Sequence, residues 1–176
     1  NQRYLNGEFF LKDSIKMPDS LMYQTLKTKR TVYGGGGIMP DVFVPLDTAE
    51  ITTYFSKLIQ GGHVNSFAFN YINTNRAALK AQYPDIKSFK TNFTCDQAFM
   101  DAFFAYVSKE DPKLEFDAAA YATSEKLIQL RLKSVLAQDL WGTNEMFQVY
   151  NETNEILQEA IKVLQTKQYT NYQLDK

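Results

Sequence analysis

Four consecutive glycines, Gly34 to Gly37, are the part of the sequence that comes nearest to a ligand-binding loop. A loop that cradles phosphate needs glycines followed by Lys-Ser or Lys-Thr, and a helix whose N-terminus faces the anion. Here the glycines lead through residues 38–41 into another run of β-forming residues. The spacing argues against nucleotide binding and favours a backbone turn, because glycine reaches positive φ without a steric penalty.

The side chains that could act as bases or thiol nucleophiles are few. His63 is the only histidine, so a Ser-His-Asp triad would depend on it, and a zinc site with two histidines is excluded. Cys95 is the only cysteine and lies at a predicted helix start, where the helix dipole could lower the pKa of its thiol. A buried, unreactive cysteine is the alternative, and a thiol enzyme stays open from sequence alone.

Serine-lysine chemistry has no local signature. None of the eight serines has a lysine three residues later, although a dyad could form between distant positions. The carboxylate pairs Glu110–Asp111 and Glu152–Glu155 are predicted to be solvated surface charges. The sequence therefore predicts no catalytic, cofactor-binding or metal-binding residue in this chain.

The composition argues against two classes of function. With 19 Lys and Arg against 20 Asp and Glu, the formal net charge is -1, so the chain lacks the basic footprint that nucleic-acid binding requires. No window approaches the roughly 18 apolar residues of a membrane-spanning helix. The hydrophobic share of 44% over 176 residues suffices for a globular core, and one cysteine excludes an internal disulfide.

The pattern of the chain changes near Pro45. Before it, β-type runs at residues 22–26, 30–33 and 41–44 predict strands. After it, apolar residues recur at helical spacing. The expected fold is α+β and predominantly α, with a β segment at residues 1–46 followed by a helical domain of about five or six helices at residues 47–176.

Capping signals predict where several helices begin and end. Capping boxes at residues 47–50 and 94–97 predict two helix starts, and Gly61-Gly62 predicts the end of the first helix. Another helix is predicted from about Asn65 to Gln82, ended by Tyr83-Pro84. Its predicted buried side chains are Phe69, Ile72, Leu79 and Tyr83.

Two longer helices, joined by a turn at residues 141–143, are predicted to form an antiparallel hairpin. Apolar residues at steps of three and four predict that both contribute a stripe to the core. The first stripe contains Ile128, Leu132, Val135, Leu136 and Leu140. The second contains Met146, Val149, Tyr150, Ile156, Leu157, Ala160, Ile161 and Leu164.

The run from Arg30 to Pro45, RTVYGGGGIMPDVFVP, closely resembles a segment of the C-terminal processing (tail-specific) serine peptidases, especially the Bacteroidetes-type members. In that family the run follows the catalytic residues and lies near the end of the peptidase core. Residues 3–8, 18–21, 138–141 and 147–149 are similar more diffusely. Lys29 departs from the family pattern, in which a glycine precedes the arginine.

The resemblance implies that this chain is the C-terminal, non-catalytic portion of a secreted or periplasmic endopeptidase that processes protein C-termini. The Ser-Lys nucleophile and a PDZ-like module would lie upstream of Asn1, and residues 1–46 would be the last β elements of the peptidase core. Implied partners are that core, the PDZ-like module and protein or peptide substrates. No cofactor is implied, and the segment alone is expected to be inactive.

A helical interaction module that docks a partner by strand addition is the alternative from a different class. It is motivated by a β-type N-terminal third joined to a helical remainder. An unpaired strand edge also predicts homo-oligomers at high concentration.

Overall fold

The computed structural model describes residues 2–35 and 40–172. They contain eight α-helices and one two-stranded antiparallel sheet, so the predicted α+β, predominantly α class is confirmed. The strands are β1 Met22–Gln24 and β2 Thr31–Tyr33. The helices are α1 Gln2–Leu5, α2 Thr53–Gln60, α3 His63–Gln82, α4 Ile86–Asn92, α5 Gln97–Glu110, α6 Ala118–Leu140, α7 Thr143–Tyr150 and α8 Glu155–Gln165.

The chain divides into two compact units. The helical unit is Thr48–Thr153, and the terminal unit consists of the described parts of Asn1–Asp47 and Asn154–Lys176. The predicted division into a peptidase-core segment at residues 1–46 and a helical domain at residues 47–176 stays a prediction.

The core of the helical unit is built around α6, which packs against α2, α3 and α7. The predicted stripe on α6 is confirmed, since all five of its side chains are buried. Aromatic rings fill the space between α3 and α5: Phe67 contacts Phe99 and Phe103 with ring centroids 5.4 Å and 5.2 Å apart. Edge-on ring contacts of this kind add to the free energy gained from burial alone.

Helix α3 buries a different face from the predicted one. Ile72, Leu79 and Tyr83 are buried as predicted, but Phe69 is 59% exposed. The buried stripe passes through Ala68, and successive helical residues point about 100° apart, so Phe69 lies to one side of it. The helix ends before Pro84 as predicted.

Two predicted helix starts are displaced toward the C-terminus. Helix α2 begins after Thr52, whose Oγ1 accepts a hydrogen bond from Phe55 N at 3.1 Å, and the predicted box at residues 47–50 lies outside it. Helix α5 is capped by Asp96, which accepts from Phe99 N at 2.9 Å, rather than by Thr94. A carboxylate is favoured there because it also faces the positive end of the helix dipole.

The predicted end of α2 at Gly61-Gly62 is confirmed, with Gly62 in the left-handed conformation.

The predicted helical hairpin is shorter than expected. Its second helix is broken, because α7 ends at Tyr150 and Asn154 caps a new helix, accepting from Leu157 N at 3.1 Å. Val149 is buried and Met146 half-buried, as the stripe requires, but Tyr150 is exposed. On α8 the predicted core residues are exposed, and the prediction was wrong for Ile156, Leu157, Ala160, Ile161 and Leu164.

The predicted strand at residues 41–44 is absent from the structure. Arg30 forms an ion pair with Asp41, and Leu46 N donates to Phe9 O at 2.9 Å, so this segment makes its contacts in an irregular conformation. The other two predicted strands form a hairpin in which Met22 is opposite Tyr33 and Tyr23 is opposite Val32.

The glycines were expected to supply positive φ angles. Gly34 and Gly35 are not in the left-handed region, and Gly36 and Gly37 lie outside the described residues. At Gly34 the requirement is steric instead: an added Cβ would lie 2.6 Å from Cε2 of Tyr23. Glycine at this position therefore makes room for an aromatic ring of the neighbouring strand.

The left-handed residue of this hairpin is Lys29, with φ of 54°. We expect Lys29→Gly to stabilise the hairpin by about 0.5–1 kcal/mol. The left-handed conformation is strained for a residue with a Cβ, and glycine removes that strain. Glycine also has more conformational freedom in the unfolded chain, which offsets part of the gain. Thr25 N donates to Arg30 O at 2.9 Å, so exchange of this amide proton should slow about two- to fivefold. Lys27→Gly is the control, and equal or faster exchange in Lys29→Gly would contradict the expectation.

Candidate functional site

The only histidine is buried beside one carboxylate. His63 Nε2 lies 3.5 Å from Asp111 Oδ2, and this contact links the start of α3 to the end of α5.

The predicted carboxylate pairs are engaged with other groups. Asp111 also accepts a hydrogen bond from Lys113 N at 3.2 Å, and Glu152 forms an ion pair with Lys90 at 3.1 Å. Each of the two predicted carboxylate pairs thus has a member engaged with another group. Within the described residues, no cluster of three or more His, Cys, Asp or Glu side chains could hold a metal ion.

Cys95 is placed unfavourably for nucleophilic chemistry. It precedes the capping residue Asp96 rather than lying in the first turn of α5, and its Sγ donates to Gln129 O at 3.6 Å. Burial raises the pKa of the Cys95 thiol from 9.0 to about 12, although Lys133 acts in the opposite direction. Desolvation therefore outweighs any activation at the helix start, which argues against the thiol-enzyme hypothesis.

Two serines are fully buried on α6, and their hydroxyl groups are engaged in structural contacts. Ser124 Oγ donates to Glu50 O at 2.6 Å and lies 2.7 Å from Thr52 Oγ1. Ser134 Oγ donates to Leu130 O, one helical turn earlier, at 2.7 Å. The Ser124 contacts join α6 to the segment that leads into α2, whereas the Ser134 contact stays within its own helix.

We expect Ser124→Ala to lower the free energy of unfolding by about 1–3 kcal/mol, because it removes two hydrogen bonds between a fully buried hydroxyl on α6 and the segment that leads into α2. Ser134→Ala is a matched control on the same helix, since Leu130 O keeps its backbone hydrogen bond, and its cost should stay within about 0.5 kcal/mol. Urea unfolding monitored by circular dichroism measures both. Equal costs for the two variants would contradict the proposed role of Ser124.

Lys133 has an environment that sequence reasoning did not identify. Burial lowers the pKa of its amine, which is a change that a catalytic lysine requires. However, its Nζ donates to Lys90 O and Phe93 O, both at 2.8 Å, and lies 5.8 Å from the centre of the Phe89 ring. Lys133 thus binds the carbonyl end of α4, and no motif around it indicated this role.

The terminal unit differs from the helical unit in the burial of its apolar side chains. Among its described residues none is buried, whereas the helical unit contains the hydrophobic core. We call its exposed large apolar residues the terminal apolar set. The set comprises Tyr4, Leu5, Phe9, Leu11, Met22, Tyr23, Leu26, Val32, Leu46, Ile156, Leu157, Ile161 and Leu164.

The hairpin presents part of this set on one face. Tyr23 and Val32 are cross-strand partners, and both are exposed. Among the described residues, neither strand pairs with a third strand. An isolated two-stranded hairpin is marginally stable in water, so this geometry favours packing or pairing with another surface.

Comparison with known proteins identifies the helical core as a recognised family. Residues 54–142, half of the chain, match the Family of unknown function (DUF8443). The chain belongs to this family. The DUF8443 match runs from α2 through α6 and so includes the buried stripe of α6. No curated protein and no solved structure matches the chain.

The DUF8443 description assigns no activity, so the family supports neither a catalytic nor a binding role. Among the described residues, no helix combines the length and apolar character needed to cross a membrane.

Proposed function

We propose that this chain is the C-terminal, non-catalytic part of a secreted or periplasmic Ser-Lys endopeptidase that processes protein C-termini. The resemblance of residues 30–45 to the tail-specific peptidases supports it, and β2 falls within that run. The observation that carries the proposal is the terminal apolar set, which lies on a unit without a buried residue among those described.

The energetics favour a partner surface for the terminal unit. Burying one large apolar side chain contributes about 1.5–3 kcal/mol, so members of the terminal apolar set would gain free energy by packing against another surface. The two-stranded hairpin also offers backbone groups to an adjacent strand. A peptidase core that ends in a β-sheet would satisfy both requirements, covering Tyr23 and Val32 and pairing with the hairpin.

In this account the helical unit contributes structure rather than chemistry. The serine nucleophile and the lysine that accepts its proton belong to the upstream core, where they form and hydrolyse the acyl-enzyme. The helical unit folds around its own core, and it would brace the peptidase sheet, shape access to the active site or mediate assembly.

The test uses the protein encoded by the complete reading frame. We expect that frame to contain a Ser-Lys core and its product to cleave a C-terminal peptide substrate. Tyr23→Asp should reduce this activity, because it places a charge in an apolar contact, while changing the stability of the helical unit by no more than about 0.5 kcal/mol.

Phe147→Asp is the matched control, since Phe147 is a similarly exposed aromatic residue on α7 of the helical unit. It should leave the cleavage rate unchanged. A reading frame without a Ser-Lys core would refute the proposal, as would full activity in Tyr23→Asp.

Strand addition by an independent interaction module is the second candidate. It is favoured by the pairing of β1 and β2 with each other alone among the described residues. In that case the complete reading frame would contain no peptidase core, and an extended peptide would protect the hairpin amides.

Both candidates predict self-association, because exposed strand edges pair with one another. Sedimentation velocity over a wide range of concentrations should show dimers of this chain at the highest values. A monomer at every concentration would contradict this expectation.

A further inference from the structure

Helix α3 presents one large aromatic ring to solvent beside neutral polar groups. Phe69 lines an open depression of ≈ 420 Å³ together with Asn65, Ser66, Asn70 and Tyr106. A single exposed apolar residue needs no explanation by itself. Its position in a depression among hydrogen-bonding side chains is what suggests a ligand site.

Two helices hold these groups in place. Residues 65, 66, 69 and 70 lie on adjacent turns of α3 and so share one face. Tyr106 comes from α5, where its ring lies 5.7 Å from Phe67 and its hydroxyl accepts from Asn70 Nδ2 at 3.5 Å. The site is therefore built on packed helices rather than on loops.

All five lining residues are uncharged. The two amides and two hydroxyls can each donate and accept hydrogen bonds, but they offer no ionic partner to a phosphate, a carboxylate or an amine. A flat apolar ring bordered by such groups suits a ligand with one apolar face and hydroxyl groups around its edge. Pyranose sugars have this chemistry.

We propose that this depression binds a neutral saccharide. The proposal is independent of the peptidase hypothesis, because every residue it uses belongs to the helical unit and none takes part in hairpin docking. Stacking on Phe69 would supply apolar contact, and the amides of Asn65 and Asn70 would orient the sugar hydroxyls. An open site of this kind predicts weak binding, with a dissociation constant of about 1 mM.

The experiment titrates maltotriose, cellotriose and triacetylchitotriose into the isotopically labelled chain and follows amide chemical shifts. We expect at least one of these sugars to produce saturable changes centred on residues 65–70 and 106. Phe69→Ala should weaken binding about tenfold, because the stacking surface is lost. Its unfolding midpoint should stay close to that of the unaltered chain, so the loss of binding cannot come from misfolding.

Phe147→Ala is the control for nonspecific contact with exposed aromatic rings, and it should bind sugar like the unaltered chain. The proposal is overturned if no sugar gives saturable changes up to about 50 mM. It is also overturned if Phe69→Ala binds equally well, or if a neutral tripeptide occupies the depression more tightly than every sugar.

Discussion

Phe103→Ala is expected to lower the free energy of unfolding by about 3–5 kcal/mol, the range for removing a buried phenyl ring from a packed core. Phe103 is 0% exposed, and its ring centroid lies 5.2 Å from that of Phe67 and 5.4 Å from that of Phe104. The loss combines the transfer of the ring to water with a cavity between α3 and α5. Since typical domains are stable by about 5–15 kcal/mol, this loss should be a large fraction of the total.

Urea unfolding of Phe103→Ala and Phe69→Ala provides the comparison. Phe69 is the same residue type on the neighbouring helix but is exposed, so its replacement should cost no more than about 0.5 kcal/mol. The slope of free energy against urea concentration should stay the same in both variants. Similar costs at the two positions would show that the core does not lie between α3 and α5.

Cys95 is expected to react with iodoacetamide about a thousandfold more slowly in the folded chain than in the unfolded chain at pH 8. The reason is that the thiolate is the nucleophile, and a pKa raised from 9.0 to about 12 lowers its population by that factor. Mass spectrometry of samples quenched over time measures the rate. A control variant that combines Cys95→Ser with Ser108→Cys moves the thiol to an exposed position on α5 and should react rapidly.

The same pKa shift affects stability at high pH. Because folding favours the neutral thiol, this contribution is fully present below pH 9 and is lost as pH rises from 9 toward 12. Cys95→Ser should remove this part of the pH dependence. Alkylation of folded Cys95 at the unfolded rate would contradict the buried placement and restore the thiol-enzyme hypothesis.

Local signals predicted those elements whose causes are local. The end of α3 followed from Pro84, since proline disfavours a helical conformation in the residue before it. The α6 stripe followed from the helical spacing of its apolar residues. The start of α5 was displaced because Thr94 and Asp96 are both good capping residues, and pattern alone does not decide between them.

Nonlocal contacts account for most of what the sequence did not predict. The α8 residues have the spacing of a core helix, but an apolar stripe shows only that a face favours burial and not which surface covers it. Ser124 binds groups 72 and 74 residues away, which no local pattern encodes. Helix α4 was not predicted because its seven residues are too few to show a repeating helical pattern of apolar residues. Asp85 nevertheless caps it, accepting a hydrogen bond from Ser88 N at 2.8 Å.

The β-type runs located the two strands of the hairpin in sequence but not the left-handed residue between them. In the peptidase run that residues 30–45 resemble, a glycine stands where this chain has Lys29. Lys29 adopts the left-handed conformation that glycine favours, whereas Gly34 and Gly35 do not. Among the described residues from Met22 to Gly35, the left-handed conformation therefore occurs at the turn between the strands.

Amide hydrogen exchange at residues 22–24 and 31–33, compared between this chain and the product of the complete reading frame, shows whether the terminal unit packs on a peptidase core. We expect the hairpin amides to exchange almost freely in this chain, while the α6 amides are protected. Protection of the hairpin amides should rise by at least about a hundredfold in the complete protein. Unprotected hairpin amides in the complete protein would contradict the claim that the terminal unit packs on a peptidase core. Protection equal to that of α6 in this chain alone would contradict it as well.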